Sequence, residues 1–231
     1  MPGKDRLTMR FTAVRERIDK ACRAAGRDAD EVRLLAVSKT RPAAAISAAG
    51  ALGQTAFGEN YVDEALAKIR ALAGDDLEWH FIGPVQSNKT RDLAAHFDWV
   101  QSVDRVKIAR RLADQRPDDR GALNVTIQVN VDAEPQKAGC SIADAAALAE
   151  DIAGRDRLAL RGLMAIPAAV DEPDEARPAF ARLRELFERL RSNHPDMDTL
   201  SMGMSSDLEA AIAEGATMVR VGTDLFGPRD G

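Results

Sequence analysis

A lysine at the end of an apolar segment is the residue best placed in this sequence to act as a nucleophile. Lys39 ends the segment VRLLAVSK, directly after a run of apolar residues. Partial burial disfavours the ammonium form of a lysine and increases the fraction of neutral amine that can form an imine with a carbonyl group. A strand-end lysine can equally bury its stem and keep its ammonium in water. Position alone leaves both interpretations open.

Two loops near the end of the sequence carry residues suited to an anion. Ser206 and Glu209, in GMSSDLEAAIAEG, have the S-x-x-E spacing of a capping box that opens a helix. Backbone N–H groups and the helix dipole favour a phosphate there, with the Ser205 and Ser206 hydroxyls as further donors. In VGTDLFG, Gly222 allows close backbone approach and Thr223 adds a hydroxyl. An ordinary helix cap and an ordinary turn also explain these two patterns.

The positions of the two loops strengthen the phosphate interpretation. They follow the predicted seventh and eighth strands, where barrel proteins frequently hold phosphate groups. A lysine nucleophile on one side of the barrel mouth and a phosphate site on the other fit a ligand that carries both an aldehyde and a phosphate. Pyridoxal 5'-phosphate (PLP) is one such ligand.

An arginine on the predicted eighth strand is a candidate partner for the ring of that ligand. Arg220 lies between Val219 and Val221, so its side chain projects to the opposite face from both valines. Inside the barrel it could pair with an acid or with the pyridine nitrogen of the cofactor. A guanidinium keeps its proton, which leaves the pyridine nitrogen unprotonated and makes the ring a poor electron sink. Carbanion chemistry would then be weakly supported.

The remaining candidates are an asparagine and three histidines. Asn60 ends the predicted second strand in GEN, where it can contact the cofactor or form a turn. His80 lies mid-strand in EWHFIG, and we interpret it as a hydrogen-bonded core histidine. His96 and His194 share no metal-ligand spacing with it. No metal site is predicted.

Short apolar segments alternate with amphipathic helical patterns along the whole chain. The predicted strands are VRLLAVSK ending at Lys39, QTAFGEN ending at Asn60, LEWHFIG ending at Gly83, WVQSV ending at Val103, LNVTIQVNV ending at Val131, LALRGLMAI ending at Ile166, TLSMGM ending at Met204 and MVRVG ending at Gly222. Predicted helices include PAAAISAAGAL from Pro42, YVDEALAKIRAL from Tyr61, DEARPAFARLRELFERLRS from Asp174, and one from Leu7 to Ala25 before the first strand.

Eight such units predict an α/β fold in which parallel strands and helical crossovers close a (β/α)8 TIM barrel. We expect a single domain over residues 1–231, with an extra N-terminal helix before the first strand. A doubly wound open sheet uses the same local units and is the alternative architecture.

Composition narrows the functional classes. The 231 residues carry a net charge of -5 and give a pI near 5.4, without the basic excess of a dedicated nucleic-acid-binding protein. Cys22 and Cys140 are too few for a disulfide framework and are expected to be reduced. The N-terminus lacks an apolar signal segment, and no stretch approaches the roughly 20 apolar residues of a membrane span. We expect a cytoplasmic protein.

The segments described above resemble the pyridoxal phosphate homeostasis protein family, a relative of the N-terminal barrel domain of alanine racemase. The resemblance covers nearly the whole chain. It consists of AVSKTRP around Lys39, FGENYVDE around Asn60, WHFIGPVQSNK over 79–89, QVNV near Asn130, LRGLMAIP over 160–167, LSMGMSSDLEAAI from Leu200 and VRVGTDLFG ending at Gly227.

The resemblance implies a set of cofactor contacts. It implies that Lys39 forms the internal aldimine with PLP and that Arg220 meets the pyridine nitrogen. Asn60 and Met204 are further implied contacts. The residues implied around the phosphate are Ser205, Ser206, Gly222 and Thr223.

The resemblance also implies a carrier or regulator of the PLP pool rather than an enzyme. The related racemase has a second domain that supplies a catalytic tyrosine, whereas this sequence continues only to Gly231 and its single tyrosine is Tyr61. We therefore expect PLP homeostasis without turnover, no catalytic residue, PLP-dependent apo-enzymes as partners, and a monomer. The alternatives are a weak PLP-dependent amino-acid racemase and a Schiff-base aldolase acting on a phosphorylated sugar.

Overall fold

Eight parallel strands close into a barrel in a computed structural model that describes residues 2–168 and 170–228. Each strand pairs with its sequence neighbours, and β8 pairs with β1. Closure confirms the predicted TIM barrel and excludes the open sheet. The strands are β1 (Arg33–Val37), β2 (Ala56–Glu59), β3 (Glu78–Phe81), β4 (Trp99–Val103), β5 (Leu123–Gln128), β6 (Leu158–Met164), β7 (Thr199–Ser201) and β8 (Met218–Val221).

The strands lie where the sequence predicts them and differ from the prediction at their ends. β4 ends at Val103 as predicted, whereas the other seven end one to three residues earlier. β7, for example, ends at Ser201 rather than Met204. Residues at the carboxyl ends leave the hydrogen-bonded ladder to form loops, although the apolar pattern continues through them. These loops line the candidate site.

Helices follow the strands and cover the outside of the barrel. Those in the described residues are α1 (Pro2–Ala24), α2 (Ala43–Gly50), α3 (Val62–Ala71), α4 (Thr90–His96), α5 (Val106–Gln115), α6 (Ala145–Ala153), α7 (Arg177–Arg191), α8 (Leu208–Ala213) and α9 (Thr223–Phe226). The segment predicted as one helix from Asp174 divides into a 3-10 turn over Pro173–Ala176 and α7. Among the described residues, no helix is both long and apolar enough to cross a bilayer.

Helix α1 connects the N-terminal segment to the end of the barrel that carries the site. The apolar residues of its buried face recur at intervals of three and four, as in an amphipathic helix, and are at most 5% exposed. They are Phe11, Val14, Ile18 and Cys22. Helix α1 packs against α8 and α9, which follow β7 and β8. Helix α1 therefore lies against the two helices that follow the loops that the sequence assigns to a phosphate.

Candidate functional site

A cavity of about 350 Å³ opens at the carboxyl ends of the strands. All eight residues predicted from the sequence to contact a cofactor lie in its lining, together with four that were not predicted. The complete lining is Val37, Lys39, Arg41, Asn60, Ile82, Ile166, Met204, Ser205, Ser206, Arg220, Gly222 and Thr223. The pairing of β1 with β8 is what brings the early lysine next to residues near the end of the chain.

Lys39 lies in a constrained turn two residues beyond β1. The next residue, Thr40, has a φ of 64°, a left-handed conformation that is uncommon for residues other than glycine. The Thr40 N–H donates to Glu64 Oε1 at 2.6 Å, and the Arg41 N–H donates to the Ser38 carbonyl at 3.0 Å. These bonds hold the turn in a conformation that the backbone alone disfavours, and so they fix where the Lys39 side chain begins.

A buried ionic cluster lies beneath this turn. The Lys68 ammonium donates to the Ser38 carbonyl (2.8 Å), to Glu59 Oε1 (2.7 Å) and to Glu64 Oε1 (2.5 Å). The Ser38 hydroxyl also donates to Glu59 Oε1, at 2.6 Å. Burial raises the pKa of Glu59, and the hydrogen bonds from Lys68 and Ser38 oppose that rise. We name these four residues, Ser38, Glu59, Glu64 and Lys68, the lysine-side cluster.

The sequence analysis did not identify the lysine-side cluster, although one signal was present. Glu64 and Lys68 are four residues apart on α3, the spacing of an ion pair on one helix face. That spacing normally indicates a solvent-exposed pair. Here Lys68 is only 5% exposed, because its side chain reaches the carboxyl ends of β1 and β2 and bonds there to Ser38 and Glu59.

Asn60 leaves β2 with an amide group that has an unused acceptor. Asn60 Oδ1 is buried and has no hydrogen-bond partner among the described residues. Gly83 at the end of β3 is required here, because a Cβ at that position would collide with the Asn60 carbonyl. A buried acceptor without a partner costs free energy, and a donor group on a ligand would remove that cost.

The loop after β7 differs from the prediction in its helix cap. Asp207, not Ser206, is the N-terminal cap residue of α8, and no side-chain cap bond forms. Instead Asp207 Oδ1 accepts from the Met204 N–H at 2.6 Å, which makes a compact loop before the helix. Glu209 turns outward to pair with Arg17. The predicted capping box is therefore wrong, although Ser205 and Ser206 still line the cavity.

Arg17 on α1 joins the two loops that the sequence assigns to a phosphate. Its guanidinium donates to the Ser205 carbonyl (2.9 Å) and to both carboxylate oxygens of Glu209 in the loop and helix after β7. It also donates to Asp224 Oδ2 at 2.5 Å, one residue after Thr223. Hydrogen bonds to Glu209 raise the pKa of Arg17 above its ordinary value. No local pattern in the sequence indicates this contact, because the partners of Arg17 lie about 190 to 210 residues away.

Arg220 enters the cavity from inside the barrel and is 4% exposed. Its guanidinium donates to Ser201 Oγ and to the Ala165 carbonyl, both at 2.8 Å. Burial lowers the pKa of Arg220 to about 10. Among the described residues no carboxylate forms a salt bridge with it, so its positive charge faces the cavity without a direct counter-ion.

Arg41 is a lining residue that the sequence analysis did not single out. Its Nη2 donates to the carbonyls of Gly227 (2.5 Å) and Pro228 (2.8 Å). This contact ties the turn after Lys39 to the segment that follows α9. The motif AVSKTRP contains Arg41, but nothing in its spacing indicates that it reaches the other end of the chain.

The histidine and metal expectations concern residues away from the cavity. His80 is fully buried, bonded to Glu78 and Gln101 and stacked on Trp99, which confirms the prediction of a hydrogen-bonded core histidine. Over the described ranges, no three His, Cys, Asp or Glu side chains converge as a metal site would require. Cys22 and Cys140 are buried, unpaired thiols.

Comparison with known sequences identifies the family. The family model of the alanine racemase N-terminal domain matches residues 10–230. The pyridoxal phosphate homeostasis protein of Pseudomonas aeruginosa is 58% identical over 217 residues, which cover 94% of this chain and 93% of that protein. The protein of the same name from Escherichia coli K12 is 51% identical over 220 residues, covering 94% of each.

Solved structures agree with the sequence comparison. PipY of Synechococcus elongatus, solved without PLP, is 39% identical, with a TM-score of 0.84 over 96% of this chain and all of PipY. PipY with PLP bound is 38% identical, with a TM-score of 0.82 over the same shares. Alanine racemase of Corynebacterium glutamicum shares the fold at 18% identity, with a TM-score of 0.71 over 98% of this chain and 62% of the racemase. The chain therefore belongs to the alanine racemase N-terminal domain family and, within it, to the pyridoxal phosphate homeostasis proteins.

Proposed function

We propose that this chain binds PLP in the cavity at the carboxyl ends of the strands and serves in cytoplasmic PLP homeostasis, as a single domain over residues 1–231. The observation that carries the proposal is the convergence on one cavity of all eight residues that the sequence and its family resemblance assign to the cofactor. Its volume of about 350 Å³ is in the range typical of small-ligand sites. The unpartnered acceptor of Asn60 and the buried guanidinium of Arg220, which is bonded to neutral acceptors, suit a polar, anionic ligand. The names of the relatives and the PLP-bound PipY structure support the same ligand.

In this proposal Lys39 holds the cofactor covalently. When bound, PLP supplies an aldehyde and an aromatic ring that can accept electrons. Lys39 would hold the aldehyde carbon of bound PLP through a Schiff base, with the aldehyde oxygen released as water. Asn60 and Met204 contact the ring. The phosphate is bound by hydroxyls and backbone N–H groups of Ser205, Ser206, Gly222 and Thr223.

Arg220 favours holding the cofactor over catalytic turnover. With a pKa of about 10, its guanidinium stays protonated at neutral pH and donates a hydrogen bond without transferring a proton. A ring nitrogen that stays unprotonated stabilises a carbanion poorly. We therefore propose a carrier or regulator that acts as a monomer, with PLP-dependent apo-enzymes as recipients.

The test is to add PLP to the purified protein, record its visible absorption, reduce with borohydride and map the adduct by mass spectrometry. We expect a yellow protein with one reduced adduct on Lys39 that is absent in Lys39→Ala. Lys89→Ala, which removes a partly exposed lysine that pairs with Asp63 on α3, is the matched control and should keep the adduct. A wild-type protein that takes up no PLP would end the proposal.

The same samples distinguish holding from turnover. Saturable transfer of PLP to an apo-enzyme, without racemisation of any amino acid, is the expected result. Racemisation that disappears in Lys39→Ala would favour the racemase alternative. An imine trapped with a sugar phosphate, by a protein without PLP, would favour the aldolase alternative.

A further inference from the structure

A chain of hydrogen bonds runs through the barrel core, from the cavity to the amino-terminal end of β3. Arg220 Nη1 donates to Ser201 Oγ (2.8 Å), and Ser201 Oγ donates to Gln101 Oε1 (2.7 Å). Gln101 Nε2 lies 2.8 Å from His80 Nδ1. His80 Nε2 is hydrogen-bonded to Glu78 Oε1. We name these five residues the Arg220–Glu78 network; they come from β8, β7, β4 and β3.

The middle of the Arg220–Glu78 network is buried away from water, whereas its Glu78 end is partly exposed. Ser201, Gln101 and His80 are each 0% exposed. Glu78 is 30% exposed in its side chain and pairs with Arg33 at the opposite end of the barrel from the cavity. Hydrogen bonds in such a dry interior are strong when made and costly when broken. A change at any link therefore has to be accommodated by its neighbours.

The two ends of the Arg220–Glu78 network determine which atom donates and which accepts in each of its hydrogen bonds. A guanidinium only donates, so Ser201 accepts from Arg220 and must give its one hydrogen to Gln101. At the other end, burial raises the pKa of Glu78, but its hydrogen bonds with His80 and Arg33 and the positive charge of Arg33 oppose burial, and the pKa lies below its ordinary value. The ionised carboxylate accepts from His80 Nε2–H.

The histidine then transmits this direction to the glutamine. Burial lowers the pKa of His80 below its ordinary value of 6.5, so the ring is neutral and its Nδ1 is an acceptor. Gln101 Nε2 donates to that nitrogen, which leaves Oε1 to accept from Ser201. A flipped amide would place donor against acceptor wrongly at both ends. One orientation of Gln101 satisfies all its partners.

We propose that Ser201 and Gln101 are positioning residues that hold the Arg220 guanidinium toward the ring nitrogen of the bound cofactor, with neutral His80 setting the orientation of the Gln101 amide. The inference rests on the proposed function, because that function assigns Arg220 to the ring nitrogen. Ser201 and the Ala165 carbonyl fix the guanidinium at two of its nitrogens. With Ser201 removed, one contact remains and the planar group can rotate about it.

The first experiment needs no ligand. The protein has three histidines, so 15N-labelled histidine gives a simple NMR spectrum in which the two neutral tautomers have different nitrogen shifts. We expect His80 as the Nε2–H tautomer in the wild type and a mixture of tautomers in Gln101→Met, which keeps the side-chain length but loses the amide. An Nδ1–H tautomer or a charged ring at pH 7.5 in the wild type would overturn the inference.

The second experiment measures the effect on the cofactor. PLP labelled with 15N in its ring reports the hydrogen bond at the ring nitrogen through its chemical shift. Ser201→Ala and Gln101→Met should move that shift toward the value of an unbonded pyridine and weaken PLP binding by about tenfold, the effect of one hydrogen bond to a charged group. Ser201→Thr keeps the hydroxyl and should restore both values.

Thr126→Val is the matched control, because it also removes a buried hydroxyl. Thr126 Oγ1 donates to the Gln101 backbone carbonyl at 2.8 Å, and this bond is not part of the Arg220–Glu78 network. It should leave the ring-nitrogen shift and the PLP affinity unchanged. Wild-type shift and affinity in both Ser201→Ala and Gln101→Met would overturn the inference. If the wild type takes up no PLP, the proposed function fails. The tautomer measurement then still decides whether the hydrogen bonds of the Arg220–Glu78 network have the inferred donors and acceptors.

Discussion

Lys39 and Arg220 reach the same cavity, but the groups that support them differ in charge. The lysine-side cluster is ionic: the Lys68 ammonium bonds to the carboxylates of Glu59 and Glu64. On the arginine side, Arg220 bonds instead to neutral acceptors, the Ser201 hydroxyl and the Ala165 carbonyl. Carboxylates pair directly with a cation beside Lys39, whereas no carboxylate among the described residues forms a salt bridge with Arg220. The first arrangement should contribute mainly to folding stability, and the second mainly to binding.

The largest expected effect is on the lysine side. Lys68→Met would leave two carboxylates without their cation, and Glu59 would have to bind a proton or remain a buried anion. Breaking a buried ion pair by removing one partner costs about 3–5 kcal/mol. We expect the free energy of unfolding in urea to fall by roughly that amount at pH 7.

Lys89→Met is the control for this prediction, because Lys89 pairs with Asp63, whose side chain is 80% exposed. An exposed pair of this kind contributes less than about 1 kcal/mol. Equal losses of stability in the two variants would contradict the view that the lysine-side cluster stabilises the fold. A double variant, Lys68→Met with Glu59→Gln, should recover part of the loss, because it removes one of the uncompensated charges.

The arginine side should respond in the opposite way. Arg220→Met removes a buried cation that forms no salt bridge with a carboxylate of the described residues, so the loss comes mainly from the acceptors left unpaired, about 1–2 kcal/mol in unfolding free energy. PLP binding, measured by titration of the visible absorption, should weaken by more than tenfold. A stability loss as large as that of Lys68→Met, with unchanged PLP binding, would reverse the comparison.

Arg116 offers a matched control for that variant. It is also 4% exposed, and its guanidinium donates to three backbone carbonyls, those of Ala94, Phe97 and Gly121. Burial lowers its pKa, as it does for Arg220. Arg116 lies away from the cavity, so Arg116→Met should cost stability and leave PLP affinity at the wild-type value.

The sequence predicted the parts of this site that depend on strand position. Apolar segments locate the eight strands, and parallel strands present their carboxyl ends at one face. Lys39, Asn60 and Arg220 could therefore be assigned to one cavity before any contact was known. The capping box at Ser206 failed because Asp207 bonds back to the Met204 N–H, a competing local hydrogen bond that the spacing S-x-x-E does not exclude.

The supporting groups were missed because their contacts join distant parts of the chain. Lys68 has the spacing of a surface pair, but its side chain is buried at the carboxyl ends of β1 and β2. Gln101 and Ser201 are one hundred residues apart and meet across the barrel interior. Arg17 reaches Glu209 and Asp224 from a helix that the sequence shows only as amphipathic. Local patterns locate the strand ends and do not record which side chains pair between strands.

The smallest expected effect concerns acid and separates the two sides by the sign of their pKa shifts. Folding lowers the pKa of His80 below 6.5. As the pH falls, the unfolded chain therefore binds a proton at His80 before the folded chain does, which favours unfolding. This contribution to stability is complete above pH 6.5 and decreases below it. Glu78, with a pKa of about 2 against an ordinary 4.5, adds a second loss between those two values. Burial shifts the pKa of Glu59 upward, and the stability linked to that shift decreases as the pH rises.

Mild acid should therefore weaken the arginine side before the lysine side. Unfolding free energies measured between pH 7.5 and pH 5.5, above the titration of most carboxylates, should fall by about 1 kcal/mol in the wild type, since one proton contributes at most about 1.4 kcal/mol per pH unit. His80→Gln should flatten this slope, and His96→Gln, at the end of α4, should keep it. A slope that persists in His80→Gln would assign the acid sensitivity to other groups.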